Sequence, residues 1–434
     1  MKIRAHNWFK NNYCLIIVLI IGLLASFFAL KELGFKYTIN SDDVSYINSG
    51  ITFFKKGVIT MHGPISAQIM PGLTYIIATF CLFFGTGSLM IFSLKILYII
   101  FFIVTIIYLY NSIKLYSNQF VAAICTLLLL TPDFIWTNNL ILTETPYLMF
   151  QTILIYYSLR LAIKNDKTSY VVIIISYICC LFLRPTVVLF PIFLIIYLII
   201  KNYNLKTLLK QSVLALFIII LFLLPWVIRN YREFKTFIPL TYGMGNPMLL
   251  GTYQGYNYPL DEDLDYKSNV YDKLDKKMKY YLDNPTIDSK WHKYYSLKYD
   301  EYVAKYRMNE WWKKDKLSML KSYLIFKPKI LLGTTFYWNK IFNVSEQMIE
   351  WFHKIEFFIF LICCSIIIYY KKYYKELLFL LGYYVYNIVL YSYSFAYGRY
   401  ALTMYPIRFI IIGLGITIII NNLKERRIKC KRLK

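Results

Sequence analysis

The chain has 434 residues, of which 58% are hydrophobic and 19% aromatic, and it carries a formal net charge of +25. This composition excludes an ordinary soluble globular protein, in which about half of the residues are apolar. The basic residues lie mostly in short segments between apolar runs and in the C-terminal tail. That pattern is typical of loops beside anionic lipid, so we predict a multi-pass membrane protein without a nucleic-acid partner.

The apolar runs predict about ten membrane-spanning helices, since a span needs about 20 residues or somewhat fewer. The first run, 13–30, follows three basic residues and precedes no small-residue cleavage site, so we predict a retained anchor rather than a signal peptide. The later runs are 89–110, 119–131, 141–162, 170–183, 186–201, 209–228, 353–370, 376–394 and 401–421.

A further run, 69–84, determines which side of the membrane every later loop faces. If it crosses, all the basic loops and the tail face outward. If it lies in the interface, they all face the cytoplasm, as the positive-inside rule requires. The prolines and glycines near its start fit a surface helix. We therefore predict that 69–84 does not cross, that both termini are cytoplasmic, and that the protein lies in the plasma (inner) membrane.

The chain divides by composition into three parts. Residues 1–228 form an N-terminal transmembrane module with outer loops, and 229–350 have the composition of a soluble helical subdomain. Residues 351–434 hold the last spans and a basic cytoplasmic tail. The predicted fold is all-α: a polytopic helix bundle with outer juxtamembrane helices and a small external subdomain.

Three acidic residues at the ends of predicted spans are candidates for a site on the predicted outer side. Asp42 and Asp43 follow the first span, and Glu144 begins a later one. A carboxylate in hydrocarbon costs roughly 2.5 to 3.5 kcal/mol, so these side chains are expected at a wet surface. A structural role also fits, because Asp42 can cap a helix starting near Val44 and a first-turn Glu144 suits the helix dipole.

Three arginines stand at the outer ends of predicted spans: Arg184, Arg229 and Arg399, the last followed by Tyr400. A guanidinium group matches phosphate geometry and does not lose its charge. Snorkelling to a lipid headgroup is the alternative for Arg184 and Arg399, and an interfacial aromatic anchor followed by a turn-rich loop is the alternative for the segment of Arg229. The four histidines are scattered and form no metal-binding motif.

The order of these short motifs resembles that of a known family. It comprises the acidic pair, the later acid, Arg-Pro-Thr between two middle spans, Pro-Trp-x-x-Arg-Asn-Tyr before the external segment, and Arg-Tyr-x-Leu-x-x-x-Pro near the end. Together these motifs resemble the GT-C superfamily of integral membrane glycosyltransferases, in the branch of protein O-mannosyltransferases and lipid A aminoarabinose transferases. The family also has a proline-rich signature at a juxtamembrane helix, of which this chain has only the shorter sequence Pro71-Gly72-Leu73. Because of this difference, the resemblance does not indicate which sugar the donor carries.

The resemblance implies a GT-C fold and a hexosyl or pentosyl transferase. It would move a sugar from a polyprenyl-phosphate donor to a lipid, glycan or protein acceptor of the cell envelope, on the outer face. Asp42 would be the base of an inverting reaction, supported by Asp43 and Glu144. Arg399 and Tyr400 would contact the donor phosphate.

The residues alone do not decide whether arginines or a divalent metal ion supply the positive charge of the site, and they are compatible with two other functions. Arg184, Arg229 or Arg399 could hold the phosphate, or Asp42, Asp43 and Glu144 could bind a divalent ion such as Mg²⁺ or Mn²⁺. A flippase or transporter of lipid-linked sugars more often shows related halves and mid-membrane charges. An O-antigen polymerase or ligase would be expected to rely less on an early Asp pair. Glycosyl transfer is therefore the predicted function.

Overall fold

The computed structural model describes residues 2–256 and 258–432, in which all the regular elements are helices and the β-structure is limited to one isolated bridge, Thr60 to Ile65. The first ten α-helices are α1 Lys2–Leu33, α2 Asp42–Lys56, α3 Gly72–Phe84, α4 Ser88–Lys114, α5 Gln119–Leu127, α6 Pro132–Thr137, α7 Glu144–Lys164, α8 Lys167–Leu183, α9 Phe190–Ile200 and α10 Leu205–Phe234. The others are α11 Gly245–Thr252, α12 Tyr266–Asn269, α13 Lys276–Asp283, α14 Ser289–Lys314, α15 Lys316–Lys321, α16 Lys327–Gly333, α17 Glu346–Tyr370, α18 Tyr374–Tyr393, α19 Gly398–Ala401 and α20 Tyr405–Arg432. The all-α prediction is confirmed.

The predicted spans coincide with ten of these helices, namely α1, α4, α5, α7, α8, α9, α10, α17, α18 and α20. Five segments are long and apolar enough to cross a bilayer alone: Asn12–Leu33, Ser88–Lys114, Leu205–Phe234, Glu346–Tyr370 and Gly398–Arg426. The apolar stretch of the last is 83% buried, whereas that of α10 is 6% buried. The C-terminal helix is therefore the centre of the bundle, and α10 lies at its lipid-facing edge.

The run 69–84 does not cross the bundle. Its helix, α3, has 13 residues and is therefore about 20 Å long, shorter than the hydrocarbon core. The ammonium group of Lys95, near the start of α4, donates to the carbonyl of Tyr37, just after α1, at 2.9 Å. Since α1 ends where α4 begins, α2 and α3 form a helical hairpin at one end of the bundle.

The basic loops meet at the opposite end. Lys201 forms an ion pair with Glu376, and the Lys375 ammonium donates to the carbonyl of Ile200 at 2.9 Å. The loops after α9 and α17 are therefore neighbours, as the predicted sidedness requires.

The external segment folds around α14. A Cβ atom on Gly245 would lie 1.8 Å from the carbonyl oxygen of Leu297, so α11 can approach α14 this closely only with glycine there. Arg307 is fully buried, donates to Thr252 Oγ1 at 2.7 Å and pairs with Asp261. The predicted domain boundaries at 228 and 350 fall inside α10 and α17, because both helices extend beyond the apolar runs.

Candidate functional site

Four charged side chains from distant parts of the chain meet at the end of the bundle that carries the α2–α3 hairpin. Asp42 begins α2, Glu144 begins α7, Arg184 directly follows α8, and Arg399 lies in α19. Because the spanning helices alternate in direction, these helix ends share one end of the bundle. Glu144 lies beneath a cavity of about 230 Å³ lined by the other three.

Arg399 links the two carboxylates. Its Nη1 donates to Asp42 Oδ2 at 2.7 Å, and its Nε and Nη2 donate to the two oxygens of Glu144, the latter at 3.2 Å. Arg184 Nη2 donates to Glu144 Oε1 at 3.1 Å. Glu144 is 2% exposed, and a buried charge of this kind is tolerated only when it is paired and hydrogen-bonded. Glu144 therefore holds both guanidinium groups in place.

Asp42 is the accessible carboxylate of the cluster. Its side chain is 33% exposed, and its Oδ1 lies 3.5 Å from His62 Nε2. Tyr46, one turn later in α2, lines the cavity beside it. Since Arg399 engages Oδ2, Oδ1 is the oxygen available for proton transfer.

Asp43 is turned away from the cavity. It is 1% exposed, and its oxygens accept hydrogen bonds from the backbone N–H groups of Ile39, Ser41 and Val44 at 2.7, 3.0 and 2.9 Å. These bonds satisfy the backbone at the start of α2. The predicted catalytic support from Asp43 is therefore revised: Asp43 shapes the loop that presents Asp42.

Arg229 also lies outside the cavity. Its Nη1 donates to the carbonyl of Ser66 at 2.8 Å and its Nη2 to that of Ile59 at 3.2 Å, while its guanidinium lies 5.2 Å from the ring centre of Trp226. Arg229 thus fastens the loop between α2 and α3 to α10. Its predicted role in phosphate binding does not fit this position.

Tyr400, which the family resemblance assigns to the donor phosphate, lies in the cavity wall. Its ring stacks on that of Tyr391, with centres 4.8 Å apart and planes at 15°. The guanidinium of Arg184 lies 5.4 Å from the centre of the Tyr400 ring. The contact of a cation with a ring face fixes the direction of Arg184.

Several buried polar atoms around the cavity have no hydrogen-bond partner within the described part of the chain. They are Gln68 Oε1, Arg184 Nη1, Thr186 Oγ1 and the Tyr391 hydroxyl. Leaving such an atom unpaired costs about 1 to 3 kcal/mol, so they point to a ligand. Three of them can donate a hydrogen bond, which suits an anion with several oxygens.

An apolar cavity of about 590 Å³ lies between α8, α9 and α10, lined almost entirely by aliphatic and aromatic side chains. Its wall includes Leu181 and Val188, and the polar cavity is lined by Leu183 to Thr186 on the same connection. Residues of the α8–α9 connection thus contribute to both cavities. The two cavities suit a molecule with an anionic head and a long apolar tail.

Two residues of the site, His62 and Tyr391, belong to none of the quoted sequence motifs, and the structure also places Thr186, the last residue of the Arg-Pro-Thr motif, in the cavity wall. His62 comes back beside Asp42 because the chain reverses at Gly63 between α2 and α3. The Gly-Pro pair after His62 was the available signal for that reversal. Tyr391 looks in the sequence like an ordinary residue of an apolar helix, and only its unpartnered hydroxyl distinguishes it.

A divalent ion does not fit among the predicted ligands. The guanidinium of Arg399 occupies the space between Asp42 and Glu144, and the oxygens of Asp43 accept backbone N–H groups. Among the described side chains, no three His, Cys, Asp or Glu residues are placed to share a metal ion. The positive charge at this site comes from two arginines.

Comparison with known proteins identifies the fold. Residues 66–228 match the sequence model of the family described as dolichyl-phosphate-mannose-protein mannosyltransferase. No curated protein sequence matches the chain.

The solved structures that are similar to this chain include two kinds of membrane protein. ArnT from Cupriavidus metallidurans bound to undecaprenyl phosphate is 12% identical, with 94% of this chain and 78% of that chain covered and a TM-score of 0.44. The Archaeoglobus fulgidus oligosaccharyltransferase in the apo form is 13% identical, with 98% and 52% covered and a TM-score of 0.56. The same organism's oligosaccharyltransferase AglB, in complex with an inhibitory peptide and a dolichol-phosphate, is 14% identical, with 97% and 52% covered and a TM-score of 0.54.

The chain thus spans about half the length of the archaeal oligosaccharyltransferase it matches. At this level of identity the likeness shows the fold. The chain has the GT-C fold, as the resemblance of its sequence motifs implied.

Proposed function

We propose that this GT-C-fold protein transfers a sugar from a polyprenyl-phosphate donor to a cell-envelope acceptor on the outer face of the plasma membrane. The observation that carries the proposal is one accessible carboxylate, Asp42, beside a set of unpartnered buried hydrogen-bond donors in a polar cavity, with an apolar cavity lined from the same α8–α9 connection. The match to a dolichyl-phosphate-mannose-dependent family and the dolichol-phosphate bound to AglB support a lipid-phosphate donor.

In this proposal the donor phosphate lies against Arg184 Nη1 and the hydroxyls of Thr186 and Tyr391. These groups have no other partner in the described chain, and hydrogen bonds to an ionised phosphate are about twice as strong as neutral ones. The polyprenyl tail lies in the apolar cavity beside α10, which faces lipid.

The proposed reaction is a single displacement. The acceptor oxygen attacks C1 of the sugar while Asp42 Oδ1 takes its proton, and the C1–O bond to phosphate breaks with its electron pair leaving on the polyprenyl phosphate. Attack opposite the leaving group inverts C1. Arg184 and Arg399 stabilise the growing phosphate charge, and Glu144 keeps both guanidinium groups in position.

The charge of the loops supports the proposed outer location of the site. The loops at the end of the bundle opposite the site carry Lys164, Lys167, Lys201, Lys371 and Lys375, and by the positive-inside rule this end faces the cytoplasm. Donor and acceptor would therefore meet on the envelope side.

We expect Asp42→Asn to abolish transfer, because an amide cannot accept the acceptor proton, while the protein still inserts into the membrane. Mass spectrometry of envelope glycans from cells with the gene, without it, and with the variant measures this. Asp263→Asn, an exposed aspartate of the external subdomain, is the matched control and should transfer normally. Full transfer by Asp42→Asn would remove Asp42 from the mechanism, and glycans that do not depend on the gene would overturn the proposed function.

A further inference from the structure

We infer that His62 is a positioning residue that acts through Asp42, by taking the transferred proton from this carboxylate and passing it to water. The inference rests on the proposed function. His62 Nε2 lies 3.5 Å from Asp42 Oδ1, and its Nδ1 lies 2.9 Å from Ser45 Oγ. Both ring nitrogens are therefore directed at side chains of the first turn of α2.

The backbone holds this ring in place at a cost. His62 has a φ angle of 54°, in the left-handed region that is uncommon for residues other than glycine. The turn is closed by hydrogen bonds from Met61 N to the Pro64 carbonyl and from Ser66 N to the Ile59 carbonyl, both 3.0 Å. Strained conformations of this kind cluster at functional sites.

The loop is also anchored from outside. Arg229 donates to the carbonyls of Ser66 and Ile59, which bracket the turn. Because the base of the loop is tied to α10 in this way, His62 is presented to Asp42 at a fixed distance.

The chemistry of the site gives such a residue a task. Asp42 receives one proton from the acceptor in each cycle and must lose it before the next, while Arg399 remains bonded to its other oxygen. With Nδ1–H donating to Ser45, Nε2 presents a lone pair to Oδ1, and the proton moves from Asp42 to His62, forming an imidazolium ion. The His62 side chain is 40% exposed, so water takes the proton from it.

The groups that face His62 set the pH range of this step. Partial burial lowers the pKa of the imidazole, the Asp42 carboxylate of α2 opposes this, and Lys293 of α14 adds to the lowering. The result is a pKa below the usual value of about 6.5. At pH values under it His62 is already protonated and cannot accept, so transfer should fall on the acid side.

The first experiment measures the coupling directly and needs no donor. The ring signals of the ¹⁵N-histidine-labelled protein are titrated by NMR in detergent micelles, for the wild type and for Asp42→Asn. Loss of the nearby negative charge should lower the pKa of His62 by about 0.5 or more, since an opposite charge at this distance favours the imidazolium. An unchanged pKa would overturn the inference.

The second experiment measures gene-dependent envelope glycan in cells held at external pH values from about 5 to 8.5, a range that brackets the histidine pKa. The key variant is His62→Asn, because asparagine also adopts the left-handed conformation but cannot take a proton at these pH values. We expect a rate about 10- to 100-fold lower and loss of the fall at acid pH, since a positioned proton acceptor contributes at this scale or above.

The matched control is His292→Gln. The ring of His292 is bonded to the carbonyl of Tyr281 in the external subdomain, so rate and pH profile should be unchanged. If His62→Asn transfers at the wild-type rate and its rate still falls at acid pH, the inference is overturned. If Asp42→Asn is inactive in the same experiment, the proposed function stands. Full transfer by Asp42→Asn removes Asp42 from the mechanism and overturns this inference with it, whereas envelope glycans that do not depend on the gene mean that the proposed function itself has failed. The NMR titration compares the wild type with Asp42→Asn, so it tests the coupling of His62 to Asp42 even if the His62→Asn protein does not insert into the membrane.

Discussion

The hydroxyl of Tyr391 provides the sharpest test of the proposed phosphate site. The side chain is 5% exposed and lines the polar cavity, and its hydroxyl has no hydrogen-bond partner within the described chain. We expect Tyr391→Phe to weaken the binding of undecaprenyl phosphate without destabilising the free protein.

The magnitude follows from what the hydroxyl does in each state. A hydrogen bond to a charged group contributes about 1.5 to 3 kcal/mol, so its loss should raise the Kd about 10- to 150-fold. In the free protein the substitution removes a buried, unpaired hydroxyl and keeps the ring that stacks on Tyr400. The free energy of unfolding should therefore stay the same or rise by about 1 kcal/mol.

The assay is a titration of the purified protein with undecaprenyl phosphate in detergent, followed by native mass spectrometry, together with a thermal unfolding curve. Tyr384→Phe is the matched control, because Tyr384 lies on the same helix, is equally buried and also has an unpartnered hydroxyl. It packs against Phe360 and does not line the cavity. Unchanged affinity in Tyr391→Phe, or an equal loss in both variants, would refute the phosphate site.

Two further substitutions test residues that the proposal leaves outside the chemistry. Arg229→Met removes the attachment of the α2–α3 loop and should lower stability by about 1 to 3 kcal/mol, seen as a lower unfolding temperature with undecaprenyl phosphate affinity retained; a selective loss of affinity would restore its predicted phosphate role. Glu356 and Arg408 form a buried ion pair and are 2% and 1% exposed. Glu356→Gln breaks this pair and should lower the free energy of unfolding by about 3 to 5 kcal/mol. The double change to Met at both positions should recover much of that loss, and a wild-type unfolding temperature for Glu356→Gln would contradict this reasoning.

The spans could be predicted from the sequence because the thickness of the bilayer sets the length of an apolar run. The length of the run 69–84 could not show whether it crosses the membrane, and the charge of the later loops indicated that it does not. In the structure, the hydrogen bond from Lys95 to the Tyr37 carbonyl places the start of α4 beside the end of α1, so 69–84 does not cross the bundle. Such a contact between residues far apart in the chain has no local signature.

The site could be predicted in part, since charged residues at the ends of apolar runs are conspicuous. Asp42, Glu144, Arg184 and Arg399 do meet around one cavity. The sequence could not separate them from Arg229, because an arginine at a membrane boundary looks the same whether it faces a phosphate or a backbone carbonyl. The same holds for Asp43, whose distinction from its neighbour depends on which way each carboxylate turns at the start of α2.

The central position of Arg399 suggests how the proposed base and the leaving group act together. Before transfer, Arg399 Nη1 is held by the charged Asp42 at 2.7 Å. When Asp42 takes the acceptor proton it becomes neutral, and at the same moment the departing phosphate gains a negative charge. The guanidinium is then attracted more strongly to the phosphate than to the neutral acid, so proton transfer itself increases the stabilisation of the leaving group. A metal ion held by the same carboxylates would be bound less tightly once Asp42 was protonated, whereas Arg399 stays covalently attached and remains paired with Glu144 throughout.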